Sequence, residues 1–282
     1  MIADLRGLGP LTRAYLLQSF RSRAAIFWNL VFPMAWLFLF GFVFYRGNQT
    51  LMMPGLFTIT LISGSFFGVS YLMVSERENG ITRRYRATPV TAATLVLASS
   101  IRAIVILSIS IAAQAGVGWL VFRYEVQGSL LLMAFVMLLG AAAFVPLGLF
   151  VGSVAQDMRT APAISNLLFF PLVFGSGAAY PAFLLPDWLQ AVMRLVPSSY
   201  LVEALQGVML RGHGLAQLAG PIAVLLLTLV VGAWCNSKLF RWETSQPLDK
   251  RAMLTAIAVL TLLFVAASVL APAFEMVLAP AR

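Results

Sequence analysis

Ser75-Glu76-Arg77-Glu78-Asn79-Gly80-Ile81-Thr82-Arg83-Arg84-Tyr85-Arg86-Ala87-Thr88-Pro89 is a charged stretch set between two long apolar runs. The run before it, Pro54 to Val74, contains no charged residue. Charge is costly at bilayer depth. The stretch is therefore expected on a membrane surface, in contact with another protein.

Composition supports that setting. Of 282 residues, 61% are hydrophobic and 10% charged, against about 25% charged in an average soluble domain. The mean hydropathy of +0.91 marks a polytopic membrane protein. A net charge of +9 could suit nucleic acid, but most arginines flank apolar runs, so no nucleic-acid partner is expected. One cysteine, Cys235, leaves no internal disulfide or cysteine metal cluster. The one histidine, His213, stands between glycines and assembles no catalytic set.

A span takes about 20 apolar residues. Residues 26–45, 54–74, 102–122, 130–152, 162–180, 218–237 and 252–271 qualify. Arg6, Arg13, Arg21 and Arg23 precede the first run, which ends at Tyr45-Arg46 without a small-residue cleavage pattern, so it reads as an uncleaved helix. With the N-terminus in the cytoplasm, most of the 19 basic residues fall inside, and Arg46, Arg123, Arg194, Arg211 and Arg282 fall outside. Trp28, Tyr45, Trp119, Tyr124 and Trp242 lie near span ends, where interfacial aromatics belong. Residues 5–24 predict a helix lying in the interface, although their amphipathic wheel is untidy.

Around the charged stretch, Ser75 and Glu78 have the spacing of a capping box, which would start a short helix there. Gly80 permits a change of direction, and Arg83, Arg84 and Arg86 offer a basic face. Thr88 as N-cap and Pro89 in the first turn would open a helix over 89–122, about 51 Å long. Its Arg102 would snorkel toward headgroups. Farther on, Pro162, Pro171, Gly175 and Gly177 interrupt the 162–180 run. The short apolar helices after it, separated by Pro197, predict a re-entrant hairpin on the outer face. Within it, Glu203 either lines an outer gate or hydrogen-bonds locally. Gly64-x-x-x-Gly68 and Gly148-x-x-x-Gly152 permit close helix approach. Phe38, Phe42, Phe66, Phe67 and Tyr71 are candidates for an apolar path, with core or lipid packing the commoner fate of such residues.

Glu76-Arg77-Glu78-x-Gly80, followed by arginines and Ala87-Thr88-Pro89, resembles the cytoplasmic loop of the ABC-2 family of ABC-transporter membrane subunits. Tyr180-Pro181, Leu185-Pro186-x-Trp188 and Pro197-Ser198-Ser199-Tyr200 are similar to that family's re-entrant extracellular helices. The resemblance covers about residues 10–240. It implies an all-α, six-helix bundle in residues 26–240, preceded by an interfacial helix in 1–25 and followed by a linker and an additional span in 241–282. It further implies a coupling element at 75–88, comprising Glu76, Arg77, Glu78, Gly80, Arg83, Arg84, Arg86, Thr88 and Pro89. An outer re-entrant gate at 181–205 would involve Pro181, Pro186, Trp188, Pro197, Tyr200 and Glu203. Partners so implied are a separate nucleotide-binding ATPase, which uses ATP and magnesium, and a second membrane subunit within the bilayer. The span at 252–271 departs from the family's usual six.

A Walker A loop needs lysine directly after glycine. Lys238 and Lys250 follow Ser237 and Asp249, so ATP energy would have to come from elsewhere. Two rival classes remain to be weighed. Secondary transporters place carboxylates deep in the bundle, whereas these span cores lack them. An enzyme would need a convergent set of reactive groups, and the sequence offers none. The expectation is the membrane subunit of an ATP-driven exporter of lipophilic drug-like or lipid-like molecules. The alternative cargo is a polysaccharide or lipo-oligosaccharide.

Overall fold

Backbone in hydrocarbon must satisfy its own N–H and C=O groups, so each apolar run winds into a helix. The structure, a computed structural model, describes residues 7–44, 49–180, 186, 188, 190, 193–240 and 250–270. α1 (Leu8–Arg21) stops at Ser22, whose extended backbone swings the chain into α2 (residues 23–44). α3 (Met53–Glu78) is followed by the short α4 (Ile81–Arg86) and the long α5 (Ala92–Phe122). Then come α6 (Leu130–Val154), α7 (Thr160–Phe174), α8 (Pro197–Arg211), α9 (Ala219–Leu239) and α10 (Lys250–Leu270). No strand occurs among the described residues, and the molecule is an all-helical polytopic membrane protein.

Among these, α3, α5, α6 and α9 are long and apolar enough to cross a bilayer. At 15 residues, α7 reaches only about 22 Å, short of a full crossing. The predicted run to 180 is thus cut back at Gly175. Pro171 already removes one backbone donor from the helix. The predicted helix over 89–122 also starts later. Thr91, not Thr88, is the N-cap, its hydroxyl accepting from the Thr94 amide at 3.2 Å. Thr88 instead donates to the Tyr85 carbonyl at 2.6 Å and closes α4. Of the interfacial aromatics, Tyr45 and Trp242 lie outside the described residues, whereas Trp119 is exposed and Tyr124 buried.

The core forms around α6, which packs against α9, α3 and α5. Glycines make this possible. A methyl group at Gly148 would collide with the Ser65 carbonyl of α3, and one at Gly152 would press on Met73 and the Ser70 carbonyl. The Gly148-x-x-x-Gly152 motif therefore serves packing within the chain. On α9, Asn236 donates to the carbonyls of Pro146 at 2.6 Å and Gly232 at 2.9 Å, fastening α9 to α6. Deeper in the bundle, Thr60 donates to Gln114 at 2.9 Å, and Gln114 donates to the Pro33 carbonyl at 3.3 Å. That chain of bonds joins α3, α5 and α2.

α1 packs against α5. Its Leu11 and Tyr15 are buried against Leu95 and Ala98 of α5, with Tyr85, Val90 and Phe240 packed alongside. The helix is therefore docked onto the bundle at the end that carries the charged turn.

A Gly148→Val substitution is expected to overpack the α3–α6 contact and cost about 1–3 kcal/mol. The drop should appear as a lower melting temperature of the purified chain in detergent. Gly116→Val, at a site where an added Cβ meets nothing, should melt as the wild type does.

Candidate coupling site

α3 runs as one helix from Met53 to Glu78. Ser75 is consequently inside a helix, so the expected capping box does not form. Asn79 donates to the Ser75 carbonyl and hydroxyl instead, at 2.9 and 3.2 Å. At about 100° per residue, three successive side chains of the last turn point to three different neighbours.

Glu76 turns toward α1 and α5. Tyr15 donates to its Oε2 at 3.3 Å, and Arg102 Nη1 stands 3.9 Å from its Oε1. The Arg102 guanidinium lies 5.2 Å above the Tyr15 ring, and Tyr85 meets that ring edge-on at 6.5 Å. All of Tyr15, Glu76 and Arg102 are buried. Burial, and then the adjacent Glu76 carboxylate, pushes the Tyr15 phenol well above its ordinary value, so it remains a donor. Arg102 is thus a buried ion-pair partner and does not snorkel to headgroups.

Arg77 turns toward α6. It donates to the carbonyls of Gly152, at 3.0 Å, and of Ala155. These belong to the C-terminus of α6, where the helix dipole favours a cation. Glu78 accepts from the Met158 amide at 3.0 Å in the turn before α7. In that turn Asp157 accepts from the amides of Thr160 and Arg159, at 2.7 and 3.1 Å, bonds that hold its carboxyl below the usual range.

Sequence reading placed Glu76 and Arg77 on an outward docking face. They are 5% and 3% exposed and serve as internal anchors, because neither charge tolerates lipid and both find partners inside. What the turn presents outward is Glu78, Asn79, Arg83, Arg84, Arg86, Ala87, Thr88 and Pro89. Gly80 links α3 to α4 with φ +68°, the left-handed region where a Cβ is strained. Arg102 and Tyr15 were missed as site residues. The available signal was one arginine in an apolar run matched by one glutamate at the end of another.

The opposite end of α3 meets the segment after α7, where a Cβ at Gly55 would strike the Ala178 carbonyl. Pro197 opens α8 at its first turn. Ser198 donates to the Leu172 carbonyl at 2.6 Å and Ser199 to Gly175 at 3.5 Å, so α8 captures the open carbonyls at the end of α7. Tyr200 is buried and donates to the Arg194 carbonyl at 2.8 Å, and Glu203 is 9% exposed. Pro186 and Trp188 are exposed. Pro181 lies outside the described residues, as does much of the 181–205 hairpin before Met193.

The five aromatics that are candidates for an apolar path, or for core and lipid packing, do not share a face. Phe38 and Phe42 stack at 6.0 Å beside Phe122. Phe66 is in the core, at 1% exposure. Phe67 and Tyr71 stack at 6.3 Å and begin a ladder: Phe67 meets Phe169 at 5.2 Å, then Phe170, Phe174 and Tyr180 follow at 5.6, 6.0 and 6.3 Å.

The molecule is a helical membrane bundle whose charged turn is anchored inward through Glu76 and Arg77. Residues 8–210 match the family model described as ABC-2 type transporter, and the chain belongs to that family. It is 24% identical over 266 residues to ycf38 of Porphyra purpurea, which carries a transport-permease name, across 84% of this chain and 89% of that one. Identity to the inner membrane transport permease YhhJ of Escherichia coli is 25% over 172 residues, 61% of this chain and 46% of that protein. YvfS of Bacillus subtilis, also bearing a transport-permease name, is 25% identical over 191 residues, 63% of this chain and 75% of that one. The chain is a transport subunit rather than an enzyme.

Arg77→Ala would strip the Gly152 and Ala155 carbonyls of a charged donor. The expected loss is about 2–3 kcal/mol, read from thermal unfolding in detergent. Arg83→Ala, at an exposed position, should change stability by less than about 0.5 kcal/mol.

Proposed function

We propose that this chain is the membrane subunit of an ATP-driven exporter, set in a bacterial-type plasma membrane with its N-terminus in the cytoplasm. A separate nucleotide-binding ATPase docks on the exposed residues between Asn79 and Pro89. A second membrane subunit completes the pathway. The observation that carries this reading is the mounting of that turn. Its outward side is basic, through Arg83, Arg84 and Arg86, and its base is bonded to α1 and the end of α6 by Glu76 and Arg77 and buried against α5. A push on the turn therefore reaches three helices through buried contacts.

The cargo we assign is lipophilic. The α3–α7 ladder offers four phenylalanine rings and only the Tyr71 and Tyr180 hydroxyls as polar groups. The same ladder favours a second cargo, since stacked rings also bind sugar faces.

The test is transport by inside-out membrane vesicles carrying the chain and the ATPase that co-purifies with it. ATP-dependent uptake of a lipophilic dye is expected, and Arg83→Glu with Arg84→Glu should abolish it and release the ATPase while the melting temperature holds. Uptake of a lipid-linked saccharide alone would replace the cargo assignment. Uptake that needs no ATP but collapses with a proton ionophore would overturn the ATP-driven reading.

A further inference from the structure

Glu76 and Arg102 stand apart from the other charges of this end of the bundle. Arg77 reaches the Gly152 carbonyl at 3.0 Å and Glu78 reaches the Met158 amide at 3.0 Å, both hydrogen-bond lengths. Glu76 Oε1 and Arg102 Nη1 face each other at 3.9 Å, and neither atom has a hydrogen-bond partner among the described residues. A direct bond between such groups spans about 2.7–2.9 Å. The ion pair is about 1 Å longer than a direct bond, in a site where both residues are at most 5% exposed. Opposite charges buried close but unbonded keep most of the desolvation cost and forgo the best of the attraction.

The obstacle is visible. Tyr15 holds the other carboxylate oxygen with its hydroxyl at 3.3 Å and lies under the guanidinium with its ring. Glu76 is thus shared between α1 and α5, and it sits in the turn of α3 that leads directly into the exposed α4 segment. Displacing the end of α3 by about 1 Å toward α5 would bring the ion pair to direct hydrogen-bond length and loosen the tyrosine bond. Two arrangements with different partners are what a switch requires, because a signal can only select between states that differ in energy.

We propose that Glu76, Arg102 and Tyr15 are positioning residues forming a two-state contact: open as in this structure, and closed, with Glu76 bonded directly to Arg102, when the partner ATPase draws the turn inward. This deepens the ATP-driven reading and rests on it. Tyr15 favours the open state, and Arg102 favours the closed one.

The experiment uses the full chain with its co-purified ATPase in lipid nanodiscs. Cys235→Ala, Asn79→Cys and Ala93→Cys allow spin labels at the ends of α3 and α5, both exposed positions, and their separation is measured with and without ATP plus vanadate. In the labelled wild type, nucleotide is expected to populate a second, shorter distance. Glu76→Gln or Arg102→Met should cut that population about ten-fold, and the exchange Glu76→Arg with Arg102→Glu should restore part of it. Tyr15→Phe removes only a hydroxyl and should populate the shorter distance without nucleotide. Full nucleotide shifts in well-folded Glu76→Gln and Arg102→Met would overturn the switch while leaving the ATP-driven reading intact. Should those variants fail to fold, a Tyr15→Phe chain with wild-type distances overturns it equally. A wild type indifferent to nucleotide defeats the ATP-driven reading, and this inference with it.

Discussion

A charge buried among apolar helices needs an opposite charge or a set of aligned dipoles, because losing water costs several kcal/mol per ion. That requirement governs the last turn of α3. Glu76 meets Tyr15 and Arg102, Arg77 meets the end of α6, and Glu78 meets the turn before α7. Consecutive positions on a helix diverge by about 100°, so an uninterrupted run of charge becomes a clamp on several elements. The same run laid on a flat surface would have gripped one partner only.

α3 links the two ends of the molecule. Gly55 abuts the segment after α7 at one end, and the charged turn is clamped at the other. Between them, Gly148 and Gly152 of α6 let the two helices approach closely. The charged turn is bonded to the end of α6 and lies buried against α5, while the serines at the start of α8 tie that helix to α7.

The helices were legible because length and apolarity are local properties. Boundaries were harder. Thr88-Pro89 and Thr91 compete as starts for α5, and only the bonds to Tyr85 and Thr94 decide between them. Ser75 and Glu78 have capping spacing, yet the apolar helix simply continues through them, since tertiary partners make its charged last turn tolerable. The pairing of Glu76 with Arg102 depends on the register of α3 against α5, which no local pattern encodes. Neighbouring aromatics mislead for a related reason. Phe66 and Phe67 are adjacent in sequence, but one faces the core and the other joins the ladder on α7.

One feature of α3 bears on how such a clamp can be kept in place. Gly64–Val69 winds as a wider π-helical turn. The carbonyl of Phe66 there accepts from the hydroxyls of Ser70 and, at 2.9 Å, Ser165 of α7. A turn of this kind holds one residue more than regular winding would. Everything downstream, Glu76 to Glu78 included, owes its azimuth to that surplus residue. Regular α-helical winding of these same residues would instead turn the charged tip by about 100°, unseating every anchor in one stroke with composition and hydropathy untouched.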